Sequence, residues 1–346
     1  MRALTVEPGV AGSDRLREVA EPHRDEGSVL VAALALGICG TDREIVSGSY
    51  GEAPPGQPHL VLGHESLGRV LVAPDGGDLS PGDQVVGIVR RPDPVPCANC
   101  AVGEWDMCRN GRYTEHGIKG LHGFARDRYR LRPEGLVRVD PGLGDLGVLL
   151  EPTSVVAKAW EHVERIGERA VWDPRTVLIT GAGPVGLLAA LLGAQRGLDV
   201  HVLDRVADGP KPALVDALGA TYHTTHVEEF ELDADVVIEC TGAPAVVAAV
   251  LAGTARNAVV CLAGVSSPGR RVAVDLGALN REWVLENDVV FGSVNANRRH
   301  YEAGAAALAT ADRAWLSRLL TRKVPIESYA EALERREDDI KTVVSF

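Results

Sequence analysis

The sequence predicts an α/β protein of two parts, an irregular β-barrel and a doubly wound parallel sheet. Three observations carry this. From Met1 to about Leu150 the chain is rich in Gly, Pro and short β-type runs such as "SVLVAALALGICG" and "QVVGIVR", the texture of a mostly antiparallel barrel with loops. From about Arg175 apolar strands alternate with helical patterns, the signature of a parallel sheet covered on both faces. A glycine-rich turn joins the first of those strands to the first of those helices.

In chain order, "TVLITG", "DVHVLD", "ADVVIECTG" and "NAVVCLAG" read as strands, and "PVGLLAALLGAQRG" and "KPALVDALGA" as helices. After Phe291 a loop leads to helices in "HYEAGAAALATA" and "AWLSRLLTR" and to a last strand, "IKTVVSF". That tail is too short to stand alone and is expected to pack on the first part. The expected organisation is therefore a catalytic domain, 1–155 and 295–346, interrupted by a dinucleotide-binding domain, 156–294.

Composition narrows the function classes. The chain has 346 residues, 45% of them hydrophobic and 24% charged, with a formal net charge of −12. That balance is ordinary for a folded globular protein and argues against nucleic acid or an anionic membrane as partner, since both need a basic surface. No uncharged apolar run is long enough to span a bilayer, and a cytoplasmic location is expected. In that reducing setting the six cysteines read as metal ligands before disulfides.

The turn "GAGPVG" carries Gly181, Gly183 and Gly186 as G-x-G-x-x-G, with Pro184 and Val185 between the last two. The first glycine allows the tight turn, the second lets a pyrophosphate approach the backbone, and the third lets helix and strand pack closely. Phosphate charge then meets the free N–H groups at the helix start. Asp204 ends the next strand, where a carboxylate accepts bonds from ribose hydroxyls. This is a Rossmann fingerprint. A carboxylate there repels a 2′-phosphate and favours NAD, while Arg205 beside it offers a partner for that phosphate and keeps NADP open.

Candidate metal ligands fall in two sets. Cys39 in "GICGTD", His64 and Glu65 in "GHES", and Glu151 in "LLEPTSV" supply one thiolate, one imidazole and carboxylates, the donor types of a zinc site with an open position. Cys97, Cys100 and Cys108 crowd together in "CANCAVGEWDMC", at the spacing of a structural zinc lobe that lacks one cysteine. Asp93, four residues before Cys97, is expected to complete that lobe, since a carboxylate oxygen binds zinc beside thiolates; the alternative is an empty lobe with three reduced cysteines. Cys240 and Cys261 lie in strands and read as core.

These segments, with "EHGIKGLHGFA" and "GSVNANRRHY", make the chain resemble a zinc-dependent medium-chain alcohol dehydrogenase, and within that superfamily a glucose (aldose) 1-dehydrogenase. The resemblance covers most of the chain in the family's order. It implies a GroES-like barrel as catalytic domain, with Cys39 and His64 on the catalytic zinc and Glu65 or Glu151 as third ligand, exchanging with bound substrate. It also implies Thr41 as the first proton-relay hydroxyl, Glu115 as acceptor of sugar hydroxyls, and Asn295 and Asn297 near nicotinamide and substrate. The implied reaction is hydride transfer from a sugar or polyol hydroxyl to NAD(P), giving a lactone when the carbon is C1 of an aldose. A dehydrogenase of another secondary alcohol, or a non-catalytic relative that keeps the fold, are the alternatives. The edge strand near "DVVFGSV" is open to pairing with another chain, and the family implies a homodimer or homotetramer.

Overall fold

The computed structural model describes residues 1–227, 230, 232–267 and 269–346. The chain divides into two units, one of residues 1–154 with 295–346, the other of residues 155–294.

The first unit is built on a seven-stranded sheet ordered Leu136–Arg138, Gln84–Gly87, Glu65–Val72, Val29–Ile38, Lys341–Ser345 and Leu320–Pro325, with Arg128–Leu131 also paired to Val29–Ile38. The pairings are antiparallel except that of Leu320–Pro325 with Lys341–Ser345. Val29–Ile38 is the hub. Its alternation of buried and half-buried residues follows the period of two that a strand imposes. Val29, Val31, Ala33, Leu36 and Ile38 join Leu4, Val70, Phe124 and Tyr129 in the barrel core.

Register in this sheet decides what meets at its end. Gly37 lies opposite Glu65, and Ile38 opposite Thr342. The residues just past these pairs (Cys39, His64 and Lys341) are thereby brought to one corner although they lie far apart in the chain. Gly37 is required there, because a Cβ on it would come within 2.0 Å of Glu65 Oε2.

The second unit holds six parallel strands ordered Thr221–His223, Asp199–Leu203, Thr176–Thr180, Ala234–Glu239, Thr254–Leu262 and Val289–Gly292. The central strands are apolar and largely buried, as expected of strands covered on both faces. The helix Pro184–Gln195 buries a continuous run from Gly186 to Gly193. Among the described residues, no helix is long and apolar enough to cross a membrane.

The tail departs from the sequence expectation in one respect. Residues 320–325, expected as helix or loop, form a strand beside Lys341–Ser345. Thr321 and Lys323 face solvent at the sheet edge and Arg322 pairs with Asp339, a polar run that hides the strand from hydrophobic patterning.

Candidate active site

Cys39 caps the helix Gly40–Val46 with extended backbone, and its sulfur receives the N–H of Thr41 at 3.3 Å. Cys39 Sγ lies 3.0 Å from His64 Nε2. The other imidazole nitrogen, Nδ1, faces Asp42 Oδ1 at 3.4 Å, and Asp42 Oδ2 accepts the N–H of Cys39 at 2.9 Å. Asp42 thus ties down the Cys39 backbone and stands beside the imidazole, the place that outer carboxylates take next to histidines that bind metals. Burial works against an imidazolium at His64, but Cys39 and Asp42 outweigh it and raise the His64 pKa well above its ordinary value. Cys39, His64 and Asp42 bring potential ligand atoms within 4.8 Å of one another. A thiol and an imidazole converging in this way fit zinc. The backbone N–H of Thr41, two residues on, is tied to the Cys39 sulfur.

The two carboxylates expected as third ligand separate here. Glu65 is buried and bound through both oxygens to Lys341 Nζ, at 2.7 and 2.6 Å, and lies outside the cluster of Cys39, His64 and Asp42. Burial works against the Lys341 ammonium, but Glu65 and Cys39 overcome it and raise the pKa. Glu151, in the first turn of the helix Leu150–Gly167, is buried, and among the described residues it has no such partner. Burial and the nearby Glu65 and Asp42 push its pKa up to about 7, against the pull of His64 and Lys341.

The three lobe thiols also cluster within 4.8 Å. Backbone N–H groups, first that of Cys100 and then that of Arg109, lower Cys97 to about 6, while burial raises Cys100 to about 11. Three such sulfurs fit a zinc ion. Asp93, however, does not join them, contrary to the expectation from its position. Its Oδ2 accepts from Asn110 Nδ2 at 2.8 Å and Arg112 Nε at 3.2 Å, and its Oδ1 from the N–H of Val95 at 2.9 Å. Both oxygens are spent on holding the loop.

Glu115, 5% exposed, pairs with buried Arg90 and accepts from Asn295 Nδ2 at 2.8 Å. Asn295 adopts a left-handed backbone, φ 62°, and its amide nitrogen donates to Glu115. Asn297 is held more tightly still. It is 2% exposed, caps the helix Arg298–Thr310, and donates to Asp106 at 2.8 Å and Glu104 at 3.2 Å. Burial and these bonds make it an anchor between lobe and helix.

In the second unit Gly181 has φ 86°, and a Cβ on Gly186 would meet Gly181 O at 1.8 Å. Gly183, the N-cap of Pro184–Gln195, has nothing within 4 Å of where a Cβ would stand. Tight turn, close packing and an open approach to uncapped N–H groups of Val185 and Gly186 fit a pyrophosphate. Asp204 accepts from the N–H of Ala182 at 2.6 Å and from Val206 at 2.9 Å, and pairs with Lys211 at 3.2 Å; Arg205 beside it is exposed.

Residues 144–346 match the family model described as glucose dehydrogenase C-terminus, and residues 25–141 the alcohol dehydrogenase GroES-like domain. The chain belongs to the glucose dehydrogenase family of zinc-dependent alcohol dehydrogenases. It is 44% identical to a glucose 1-dehydrogenase of Thermoproteus tenax and 38% identical to one of Methanocella arvoryzae, with 99% of both chains covered in each case. Its fold is that of the Haloferax mediterranei glucose dehydrogenase solved with NADP, Zn and gluconolactone, with a TM-score of 0.92, 33% identity, and 100% and 99% of the two chains covered. The GroES-like barrel and Rossmann sheet expected from sequence are the family's fold.

Three residues that shape these sites carry little or no signal in the sequence. Asp42 lies three residues after Cys39, a capping-box spacing that could have marked it. Lys341 has no local signal, being 276 residues from Glu65. Arg90 lies in an ordinary-looking β-run, and only strand pairing sets it against Glu115.

Proposed function

We propose that the protein is a zinc-dependent, NAD(P)-linked dehydrogenase that oxidises a sugar hydroxyl, with C1 of an aldose such as glucose as the reacting carbon and a lactone as product. The observation that carries this is the convergence of Cys39 and His64 at 3.0 Å in a chain of this family. Support for the substrate class comes from the Haloferax relative, solved with NADP, Zn and gluconolactone.

Cys39 and His64 would hold the catalytic ion, with Glu151 as the third ligand and Glu65 kept back by Lys341. When bound, zinc supplies Lewis acidity that lowers the pKa of a coordinated oxygen. Asp42 holds the imidazole in the orientation that presents Nε2. Thr41 takes the hydroxyl proton and passes it toward solvent, Glu115 holds other sugar hydroxyls, and the hydride leaves carbon for the nicotinamide. Cys97, Cys100 and Cys108 would hold a second, structural zinc, with a fourth ligand other than Asp93.

The turn Gly181–Gly186 would bind the pyrophosphate, with Asp204 and Arg205 at the adenosine ribose. Lys211 offsets the Asp204 charge, so a 2′-phosphate does not face a bare carboxylate, and both NAD and NADP are accepted. Residues 1–154 with 295–346 would then be the catalytic domain and 155–294 the cofactor domain. The edge strand Val289–Gly292 and the exposed Val284, Leu285 and Val294 near it form an apolar surface that suits self-association, and a homodimer or homotetramer follows. Zinc analysis together with nicotinamide absorbance against aldoses, polyols and secondary alcohols tests the reading; turnover confined to alcohols with one hydroxyl would reject it.

A further inference from the structure

We propose that Arg90 is the positioning residue for sugar recognition, fixing Glu115 so that a single carboxylate oxygen, Oε2, is presented to the hydroxyls of a polyhydroxylated substrate. This rests on Glu115 as the sugar carboxylate and goes beyond it by naming what holds that carboxylate and which oxygen acts.

Arg90 and Glu115 face each other directly across an antiparallel strand pair. Both are nearly sealed, at 4% and 5% exposure. Arg90 Nε donates to Glu115 Oε1 at 3.0 Å, Nη2 lies 3.0 Å from the same oxygen, and Asn295 Nδ2 donates to it at 2.8 Å. Every donor converges on Oε1. Among the described residues none reaches Oε2, and Oε2 is not one of the sealed, unpaired atoms either. A buried carboxylate with one saturated oxygen and one open oxygen is a half-used acceptor. A carboxylate oxygen carries two lone pairs, enough for two neighbouring hydroxyls.

The guanidinium cannot swing away. Its Nη1 donates to the carbonyl of Asp106 at 2.9 Å, and its central carbon lies 3.7 Å from the centre of the Tyr113 ring. Asp106 belongs to the turn between Cys100 and Cys108, so the cysteine lobe forms the back wall of the device. A planar fork with donors on several edges can make all these contacts at once; a lysine ammonium cannot. Arg90 therefore acts on the substrate only through Glu115.

The test compares the parent enzyme, Arg90→Lys and Glu115→Gln on D-glucose and on its monodeoxy derivatives, with dinucleotide affinity and thermal unfolding measured alongside. Arg90→Lys should raise the KM for glucose about tenfold or more, with kcat and dinucleotide affinity little changed. The penalty should shrink for the deoxy sugar on which Glu115→Gln is also least harmful, because the lost hydroxyl is the one Oε2 holds. A general loosening of the fold would penalise all the sugars alike. If Arg90→Lys fails to fold, Tyr113→Leu removes the stack and keeps every charge, and it should give the same pattern in weaker form. Parent-like KM in Arg90→Lys or in Tyr113→Leu, with Glu115→Gln impaired, overturns the role of Arg90 and leaves Glu115 as the sugar carboxylate. Parent-like KM in Glu115→Gln overturns both.

Discussion

Lys341 shows how one side chain can hold a buried site together. Its ammonium is 2% exposed and bonds both oxygens of Glu65, itself 3% exposed. Removing one member of a buried pair leaves an uncompensated charge, which costs about 3–5 kcal/mol. Lys341→Met should therefore lower the thermal midpoint sharply, and Lys341→Met with Glu65→Leu should recover most of the loss. A single variant as stable as the parent would mean that the pair is not formed in solution. Asp93 gives a contrasting case at the same scale. Its oxygens bond Asn110, Arg112 and Val95, so Asp93→Ala should weaken the loop but leave the zinc content unchanged, whereas Cys97→Ser should remove one ion per chain. Loss of that ion in Asp93→Ala, read by elemental analysis, would restore the aspartate as a ligand.

At the scale of elements, the glycine turn offers the cleanest separation of stability from function. Gly183 has ordinary extended dihedrals, φ −82° and ψ −176°, and open space beyond its Cα. Gly183→Ala should keep the parent melting temperature while the methyl obstructs the pyrophosphate, raising the dinucleotide Kd at least about tenfold, equivalent to about 1.4 kcal/mol. Equal Kd values would place the phosphates elsewhere. This turn was legible in the sequence because its chemistry is local: three glycines, a strand before and a helix after. Cys39 and His64 were legible as donor types, but their meeting is a matter of register, with Gly37 against Glu65 and Ile38 against Thr342. Lys341 was invisible because nothing near it in sequence hints at a buried partner. Asp93 and Asn297 sit differently from their expected roles for a related reason. Their positions suit a ligand and a substrate contact, but local polar groups claimed them first. The strand Leu320–Pro325 was hidden by its polar residues, which an edge strand tolerates on its solvent side.

At the scale of the whole molecule, the net charge of −12 and the exposed apolar surface around Val284 and Leu285 bear on assembly. These side chains are 67% and 65% exposed, unusual for a helix with nothing to cover it. Val284→Lys with Leu285→Lys should shift the sedimenting species from oligomer to monomer while leaving the fold intact by circular dichroism. An unchanged sedimentation coefficient would put the interface elsewhere. The central claim is that a zinc ion held by Cys39 and His64 enables this chain to oxidise a sugar. The most direct test is the initial rate of nicotinamide reduction by D-glucose, measured on the zinc-loaded parent and on Cys39→Ser after both are confirmed folded. The expected result is steady turnover with lactone formation in the parent and a rate indistinguishable from background in Cys39→Ser. Undiminished turnover in Cys39→Ser, or none with glucose or any other aldose in the parent, would contradict it.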